Sequence, residues 1–216
     1  MNEAVDPFRA ARLVLTLRQA GVTDPRVLTA IEKTPREPFV PRPFLESAYD
    51  DVELPIDCGQ SLSRPVIVGA MLQALDLDEH MTVLEIGAGS GYQAAVLAAL
   101  ASRVFTLDRF RTLAEKARAA LDEMGLSRVE TRHADGLHGW SEASPFDRII
   151  LTGSVAAVPG ALFAQMKPDG VLVAPVQDGE DQSILQYKLE SDGEWMGRKI
   201  GKSALLPLEP GLARQL

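Results

Sequence analysis

From residue 82 onward, short continuous apolar runs alternate with longer segments in which apolar residues recur every three or four positions. The short runs are typical of buried strands, and the recurring pattern is typical of helices that pack on a sheet. The predicted strands cover residues 82–86, 104–108, 129–133, 146–152 and 171–175, and the predicted helices cover residues 92–100, 112–124 and 158–165. This alternation predicts an α/β fold with a mostly parallel sheet and helices on both faces.

The two ends of the chain follow other patterns. Leu185, Tyr187 and Leu189 alternate with polar residues, which predicts a half-buried strand. A turn at residues 191–193 and a returning strand over residues 194–200 complete a predicted C-terminal antiparallel hairpin. Before residue 82 the pattern predicts an N-terminal helical extension, with helices at residues 7–20, 25–33, 44–49 and 66–75.

Local signals refine this N-terminal part. Asp24 is predicted to cap the second helix, with Pro25 at its first position. Three prolines in residues 35–41 remove hydrogen-bond donors, so no helix is expected there. Residues 54–65 are polar and rich in turn formers, and are predicted to form a loop without regular structure. A loop of that length inside a compact domain is more often functional than idle.

Composition narrows the classes of protein. The chain has 216 residues and a formal net charge of −8, without a basic cluster, so a nucleic-acid partner is not expected. The single cysteine, Cys58, excludes an intrachain disulfide and a multi-cysteine metal site, and no metal is expected. No stretch is apolar for long enough to predict a membrane span, and the polar N-terminus is unlike a signal peptide. A cytoplasmic protein is therefore expected.

A glycine-rich turn follows the first strand of the alternating region. Gly87, Gly89 and Gly91 permit a tight turn and let the backbone approach a ligand closely. Asp108 ends the next strand, 21 positions after Gly87, close to the ~20-residue spacing at which a carboxylate reaches ribose hydroxyls in doubly wound folds. The alternative is a glycine turn that only closes a strand–helix unit.

The pattern Glu-x-Gly-x-Gly-x-Gly, which begins at Glu85, resembles the first motif of S-adenosylmethionine-dependent methyltransferases. It differs from the Gly-x-Gly-x-x-Gly of dinucleotide binders, which disfavours an NAD enzyme. The resemblance implies S-adenosyl-L-methionine as cofactor and a Rossmann-like fold. The expected cofactor-binding residues are Glu85, Gly87, Gly89, Ser90, Gly91, Asp108, Arg109, Asp135, Gly136 and Thr152.

Three of these positions have specific expected roles, and a fourth, Thr152, has an expected location. Glu85 would help to hold the amino end of the cofactor, or serve as a partner for the next helix. Asp108 would accept hydrogen bonds from the ribose. Asp135 would bond the adenine amine, or only form the turn with Gly136. Thr152 lies at the carboxyl end of a strand, where ligands of such folds bind.

Several stretches together resemble the protein-L-isoaspartate O-methyltransferase family. Residues 59–65, Gly-Gln-Ser-Leu-Ser-Arg-Pro, are similar to the family's Gly-Gln-Thr-Ile-Ser-x-Pro signature, and the likeness covers roughly residues 10–190. Further matching stretches are residues 35–41, 48–51, 54–56, 85–97, 135–136, 145–150 and 165–170. The resemblance implies methylation of the α-carboxylate of L-isoaspartyl residues in damaged proteins, whose ester closes to a succinimide and reopens partly to aspartate.

The same resemblance implies which residues bind the substrate that accepts the methyl group. The signature serine falls on Ser63, whose hydroxyl would orient the isoaspartyl carboxylate, and Gln60, Ser61 and Leu62 would contact the substrate. A carboxylate is already ionised at neutral pH, so its methylation needs no strong general base. From the residues alone, Ser63 is equally suited to cap the following helix. Pro65, however, prefers the first helical position, which would make Arg64 the cap.

Two departures from the family pattern leave alternatives open. Gly153-Ser154-Val155 stand where small alanines are usual, and Leu205-Leu206-Pro207-Leu208 stand where the family has Phe-Val-Pro-Leu. The alternatives are a methyltransferase of the same build for another carboxylate, and an adaptor that binds cofactor and damaged proteins without turnover. Residues 1–78 are expected to form the extension with the substrate loop, and residues 79–216 the cofactor-binding domain, as one compact unit. A monomer is favoured.

Overall fold

A computed structural model describes residues 8–213 of the chain. Residues 1–7 and 214–216 lie outside the described residues. They include the first position of the predicted helix 7–20, the start of the predicted extension 1–78 and the end of the predicted domain 79–216. In chain order the elements are α1 (Arg9–Gln19), α2 (Pro25–Lys33), β1 (Leu54–Pro55), β2 (Ser61–Leu62), α3 (Pro65–Leu75), β3 (Thr82–Ile86), α4 (Tyr92–Ala98), β4 (Arg103–Asp108), α5 (Arg111–Glu123), β5 (Val129–His133), β6 (Phe146–Leu151), α6 (Gly160–Phe163), β7 (Met166–Asp178), β8 (Asp181–Leu189) and β9 (Trp195–Ser203).

Seven strands form one sheet in the order β5-β4-β3-β6-β7-β8-β9. The first five positions in that order are parallel, and β8 and β9 add an antiparallel hairpin at one edge. The chain first runs outward from β3 through β4 to β5, and then returns to the other side of β3 with β6. Ligands of open α/β sheets bind at such a reversal, beyond the carboxyl ends of the strands.

The apolar patterns explain the layers. β3 is flanked on both sides by parallel strands, and four of its five residues are buried. The helix α5 buries only one stripe, Leu113, Ala114, Ala117 and Leu121. This amphipathic pattern is typical of a helix that covers one face of a sheet. The predicted α/β alternation and the C-terminal hairpin are confirmed.

The N-terminal helices pack onto the same core as the sheet. Leu13 and Leu17 of α1 and Ile31 of α2 belong to one buried cluster together with Val83 of β3 and Val173 of β7. The predicted cap of α2 is confirmed, because the Asp24 side chain accepts a hydrogen bond from the Arg26 amide at 2.8 Å and Pro25 is the first helical residue. A boundary at residue 78 stays a prediction.

Several predicted elements differ in the structure. Residues 54–65 are not free of regular structure, because β1 and β2 form a short antiparallel pair that flanks a 3₁₀ turn at Asp57–Gly59. Turns of 3₁₀ helix also occur at Glu37–Phe39, where no helix was expected, and at Arg42–Ser47, in place of the helix predicted at 44–49. Each is too short to give a periodic signal.

The predicted helix 158–165 and the predicted strand 171–175 also differ from the observed elements. The helix predicted over residues 158–165 is reduced to the single turn α6, and β7 extends to 13 residues instead of the five predicted. At its carboxyl end β7 continues past residue 175 because its antiparallel partner β8 pairs with it as far as Asp178. At its start Met166 pairs with Phe146 of β6. Among the described residues, no helix is long and apolar enough to cross a membrane.

Candidate active site

A cleft lies at the carboxyl edge of the sheet, next to the reversal between β3, β4 and β6. With its open mouth it measures about 1200 Å³. We call it the edge cleft; of the predicted site residues, those that line it are Gln60, Ser61, Leu62, Ser63, Gly87, Gly89, Ser90, Asp108, Arg109, Gly136 and Thr152. The topology therefore brings together residues from both the 54–65 segment and the alternating region.

The glycine turn forms the floor of the edge cleft. Gly87, Gly89 and Gly91 have backbone φ angles of +97°, +53° and +91°, which residues other than glycine rarely adopt. A Cβ atom on Gly87 would lie 2.2 Å from the Thr152 hydroxyl oxygen. That hydroxyl donates to the Gly87 carbonyl at 2.7 Å. Thr152 therefore holds the turn against the end of β6. Gly91 does not line the cleft; it is the cap residue of α4 and packs against Ala117.

Asp108 connects the second strand to this turn. Its Oδ2 accepts a hydrogen bond from the Gly89 amide, and its Oδ1 accepts one from the Phe110 amide, both at 2.8 Å. The carboxylate is 6% exposed. Burial raises the pKa of Asp108, and the two amide hydrogen bonds partly offset that effect. The side chain is thus oriented rigidly at the wall of the cleft before any ligand binds.

Glu85 lies beneath the turn and does not line the edge cleft. Its side chain is fully buried and accepts a hydrogen bond from the Thr106 hydroxyl at 2.5 Å. Burial raises the pKa of Glu85 from its ordinary value of 4.5 to about 8. The other carboxylate oxygen, Oε1, has no hydrogen-bond partner among the described residues, so the predicted contact with the helix that follows is not seen.

Asp135 is engaged by its own turn. Its Oδ1 accepts from the Leu137 amide at 3.0 Å, and its Oδ2 accepts from the Gly211 amide at 2.6 Å. Its neighbour Gly136 lines the cleft, and a Cβ there would lie 2.5 Å from Cγ2 of Ile86. The turn-forming role is therefore visible, whereas a bond from Asp135 to adenine stays a prediction.

Ser63 does not cap the following helix. The cap residue of α3 is Arg64, without a side-chain cap hydrogen bond, and Pro65 is the first helical residue. Ser63 is half-buried and lines the edge cleft beside Gln60. The pairing of Leu54 with Leu62 anchors this stretch, since both leucines are buried. The hydroxyl is thus presented to the cleft rather than used by the backbone.

The C-terminal segment crosses the mouth of the cleft, which the sequence did not reveal. The Arg109 guanidinium donates to Glu209 Oε2 at 2.6 Å and to the Gly211 carbonyl at 2.9 Å. A Cβ on Gly153 would lie 2.6 Å from the Leu206 carbonyl. The departure at Gly153 therefore makes room for this crossing. The lining residues that were not predicted as site residues are Gly59, Val68, Ile86, Ala88, Gln93, Leu107, Phe110, Leu113, Leu137, Gly153 and residues 205–209.

Gln93 and Phe110 had signals in the sequence. Phe110 follows Asp108 by two positions, and Gln93 is the one long polar residue in the first turn of an otherwise apolar helix. Ile86, Ala88 and Leu107 are sequence neighbours of predicted site residues. Val68, Leu113 and Leu137 reach the cleft through tertiary packing. Among residues 8–213 no group of three His, Cys, Asp or Glu side chains is arranged to hold a metal ion.

Comparisons with known proteins agree with the resemblance. A family model described as protein-L-isoaspartate(D-aspartate) O-methyltransferase matches residues 9–212. This chain belongs to that family. A protein-L-isoaspartate O-methyltransferase of Maricaulis maris is 48% identical over 211 residues, 98% of either chain. One of Caulobacter sp. is 47% identical over 203 residues, 94% of this chain and 93% of the relative.

Solved structures carry the same fold. A protein-L-isoaspartate O-methyltransferase superposes with a TM-score of 0.84 at 27% identity, over 94% of this chain and 67% of that chain. A Plasmodium falciparum structure in complex with S-adenosyl-L-homocysteine gives a TM-score of 0.79 at 17% identity, over 92% of this chain and 97% of that chain. The Rossmann-like methyltransferase fold is thereby confirmed.

Family membership confirms the predicted activity. The chain is an enzyme, an S-adenosyl-L-methionine-dependent protein-L-isoaspartate O-methyltransferase that acts in protein repair on proteins containing isoaspartyl residues. The edge cleft fits that cofactor. It provides a buried, pre-oriented carboxylate at Asp108 and a turn at Gly87 with no room for a side chain.

Proposed function

We propose that this chain methylates the isoaspartyl α-carboxylate in the edge cleft, with Ser63 orienting that carboxylate and Asp108 holding the ribose. The single observation that carries the proposal is the convergence of Ser63 and the glycine turn in one cleft. Ser63 comes from the 54–65 segment and Asp108 from the end of β4, so folding alone unites them.

S-adenosyl-L-methionine, when bound, supplies an activated methyl group. The acceptor carboxylate is already ionised at neutral pH, so the protein has to align it and exclude water. The Ser63 hydroxyl donates a hydrogen bond to one carboxylate oxygen and leaves the other free to attack. Gln60, Ser61 and Leu62 border the same part of the cleft and contact the substrate chain. Thr152 keeps the glycine turn open for the cofactor's methionine part.

Methyl transfer to paired peptides tests this proposal. Two peptides that differ only in isoaspartyl or aspartyl at one site are incubated with labelled S-adenosyl-L-methionine. We expect label on the isoaspartyl peptide alone, in base-labile form, as a carboxyl ester requires. Equal labelling of both peptides, or labelling of other small carboxylates in competition, would support the alternative acceptor. Cofactor binding without any transfer would support the adaptor.

The partners, cellular location and oligomeric state of the enzyme are also proposals. The acidic net charge of −8 supports a partner other than nucleic acid, and we propose damaged proteins as the partners. We propose a cytoplasmic monomer in which residues 1–78 carry the substrate loop and residues 79–216 bind the cofactor. Light scattering of the purified enzyme, with and without cofactor, measures the mass: twice the mass of 23.4 kDa would overturn the monomer.

A further inference from the structure

The chain leaves the sheet shortly before it forms one wall of the edge cleft. β9 ends at Ser203, which pairs with Gln182 of β8, and the cleft-lining residues 205–209 follow. Beyond this last pair, the backbone N–H and C=O groups have no strand partner. Leu205 is only 8% exposed, and buried backbone groups are nearly always paired. The backbone of Leu205 therefore needs partners from outside the strand ladder.

The side chain of Gln182 supplies these partners. Its Oε1 accepts a hydrogen bond from the Leu205 amide at 2.8 Å, and its Nε2 donates one to the Leu205 carbonyl at 2.9 Å. A primary amide carries an acceptor and a donor side by side, so it replaces the missing strand residue. We call this pair of bonds the amide clamp. Among the described residues, Gln182 is the only acceptor for the Leu205 amide.

Neighbouring hydroxyls fix the orientation of the clamp. The Ser203 hydroxyl donates to Gln182 Oε1 at 3.3 Å, and Gln182 Nε2 donates to the Ser154 hydroxyl oxygen at 3.1 Å. The Leu205 amide can only donate and the Leu205 carbonyl can only accept. A flipped Gln182 amide would therefore lose both bonds of the clamp, so the side chain is held in one orientation.

The clamped residue borders the stretch that carries Ser63. Leu205 and Ser63 both line the edge cleft. A second cavity is lined by Leu205 together with Arg64 and Ile67. Arg64 directly follows Ser63 in the chain, so Leu205 shares both cavities with this stretch. The clamp therefore holds the wall of the cleft on the side proposed to receive the isoaspartyl carboxylate.

The next part of the same wall is held independently of Gln182. The Ser154 amide donates to the Leu206 carbonyl at 2.9 Å, and the Leu208 amide donates to the Ser154 carbonyl at 2.8 Å. Leu208 lies near the glycine turn, because a Cβ on Gly87 would lie 3.4 Å from its Cδ2. These bonds join backbone to backbone. Loss of the Gln182 amide would therefore release Leu205 and leave Leu208 at the glycine turn.

We propose that Gln182 is a positioning residue for methyl transfer, which fixes the acceptor wall of the cleft through the backbone of Leu205. Gln182 lines neither cavity, so it acts on the substrate only through Leu205. The inference rests on the proposed function, in which the isoaspartyl residue binds beside Ser63. It separates the two ligands: the clamp governs the binding of the peptide, and the bonds of Ser154 hold the wall next to the glycine turn.

Steady-state kinetics on an isoaspartyl peptide, beside calorimetry with S-adenosyl-L-homocysteine, tests the proposal. Gln182→Met keeps the length of the side chain and removes the clamp. We expect it to raise KM for the peptide about five- to tenfold, as for the loss of one or two neutral hydrogen bonds. Because a loosened wall weakens ground-state and transition-state binding alike, kcat is expected to stay within about twofold. Affinity for S-adenosyl-L-homocysteine is also expected to stay within about twofold.

Gln186→Met is the matched control. Gln186 lies on the same strand, is half-buried like Gln182, and donates a side-chain hydrogen bond to the Ala74 carbonyl at 2.5 Å, but it lines neither cavity. A purely structural loss would therefore appear in both variants, whereas the rise in KM is expected in Gln182→Met alone. Gln182→Asn, whose amide is one methylene shorter, is measured in parallel, and thermal unfolding selects whichever variant is folded.

Amide hydrogen exchange measured by NMR tests the clamp without turnover. We expect the Leu205 amide to exchange about fivefold or more faster in Gln182→Met, and the Leu208 amide to exchange at its native rate. The inference is overturned if Leu205 exchange or peptide KM is unchanged, if both glutamine variants raise KM equally, or if cofactor affinity falls together with peptide binding. A native enzyme that methylates no isoaspartyl peptide would instead overturn the proposed function, so the two failures are distinguishable.

Discussion

The side chain of Asp108 and the backbone of Gly89 are joined by a hydrogen bond of 2.8 Å. This bond links the end of β4 to the glycine turn after β3, so the two parts of the proposed cofactor site are coupled before the ligand arrives. One carboxylate oxygen is committed to the turn, and each oxygen retains a lone pair for the ribose. Loss of the carboxylate would therefore disturb both the ribose contact and the turn.

Asp108→Ala is expected to weaken cofactor binding by about a hundredfold, because hydrogen bonds to a charged acceptor are lost and the Gly89 amide is left unpaired. Asp108→Asn is expected to lose less, about tenfold, because its carbonyl oxygen still accepts from one amide. Calorimetric titration with S-adenosyl-L-homocysteine measures both. Asp192→Asn, on an exposed turn, is the control. Equal affinities for Asp108→Ala and the native enzyme would remove Asp108 from the site.

Ser63→Ala is expected to lower kcat for an isoaspartyl peptide by about ten- to a hundredfold, because one hydrogen bond to the charged carboxylate is lost. Cofactor affinity is expected to stay within about twofold of the native value, since no backbone group depends on this hydroxyl. Steady-state kinetics and calorimetry separate the two quantities. Ser127→Ala, on an exposed loop, provides the matched control. A fall in unfolding temperature with unchanged kcat would indicate a structural role instead.

Site residues whose position is set by the local backbone were predictable from the sequence, whereas those brought to the site by tertiary packing were not. The glycine turn was predictable because positive φ angles favour glycine. Asp108 was predictable because it ends the next strand at the spacing from the turn that is typical of doubly wound folds. The cover formed by residues 205–209 was not, since it depends on bonds such as that between the amide of Leu208 and the Ser154 carbonyl, 2.8 Å long and 54 positions apart in sequence. The carboxyl end of β7 was underestimated for the same reason, because its pairing with β8 continues to Asp178, beyond the apolar run.

Gly87→Ala is expected to abolish measurable cofactor binding. The added Cβ would meet the Thr152 hydroxyl oxygen at 2.2 Å, and a φ of +97° is strained for alanine. A stability loss of roughly 1–3 kcal/mol should accompany it. Gly160→Ala is the control, because nothing lies within 4 Å of a Cβ there and φ is not positive. Urea unfolding and calorimetry check both effects; native-like affinity in Gly87→Ala would show that the turn tolerates a side chain.

Glu85 should make the unfolding free energy depend on pH. In the folded protein burial raises its pKa from the ordinary 4.5 to about 8. Between these values the folded state retains a proton that the unfolded chain has released. Stability contributed by this group is therefore fully present below its unfolded pKa and is lost as the pH rises toward 8, with a slope of up to about 1.4 kcal/mol per pH unit.

Glu85→Gln removes the titration but keeps the shape of the side chain, so the variant should lack this component of the slope. Urea unfolding at about pH 5 and about pH 8 measures the difference. We expect the stability of Glu85→Gln relative to the native enzyme to increase with pH. Glu123→Gln, at an exposed position on α5, controls for the change in net charge. Parallel curves for the native enzyme and Glu85→Gln would mean that folding does not raise the pKa of Glu85, and would contradict the prediction.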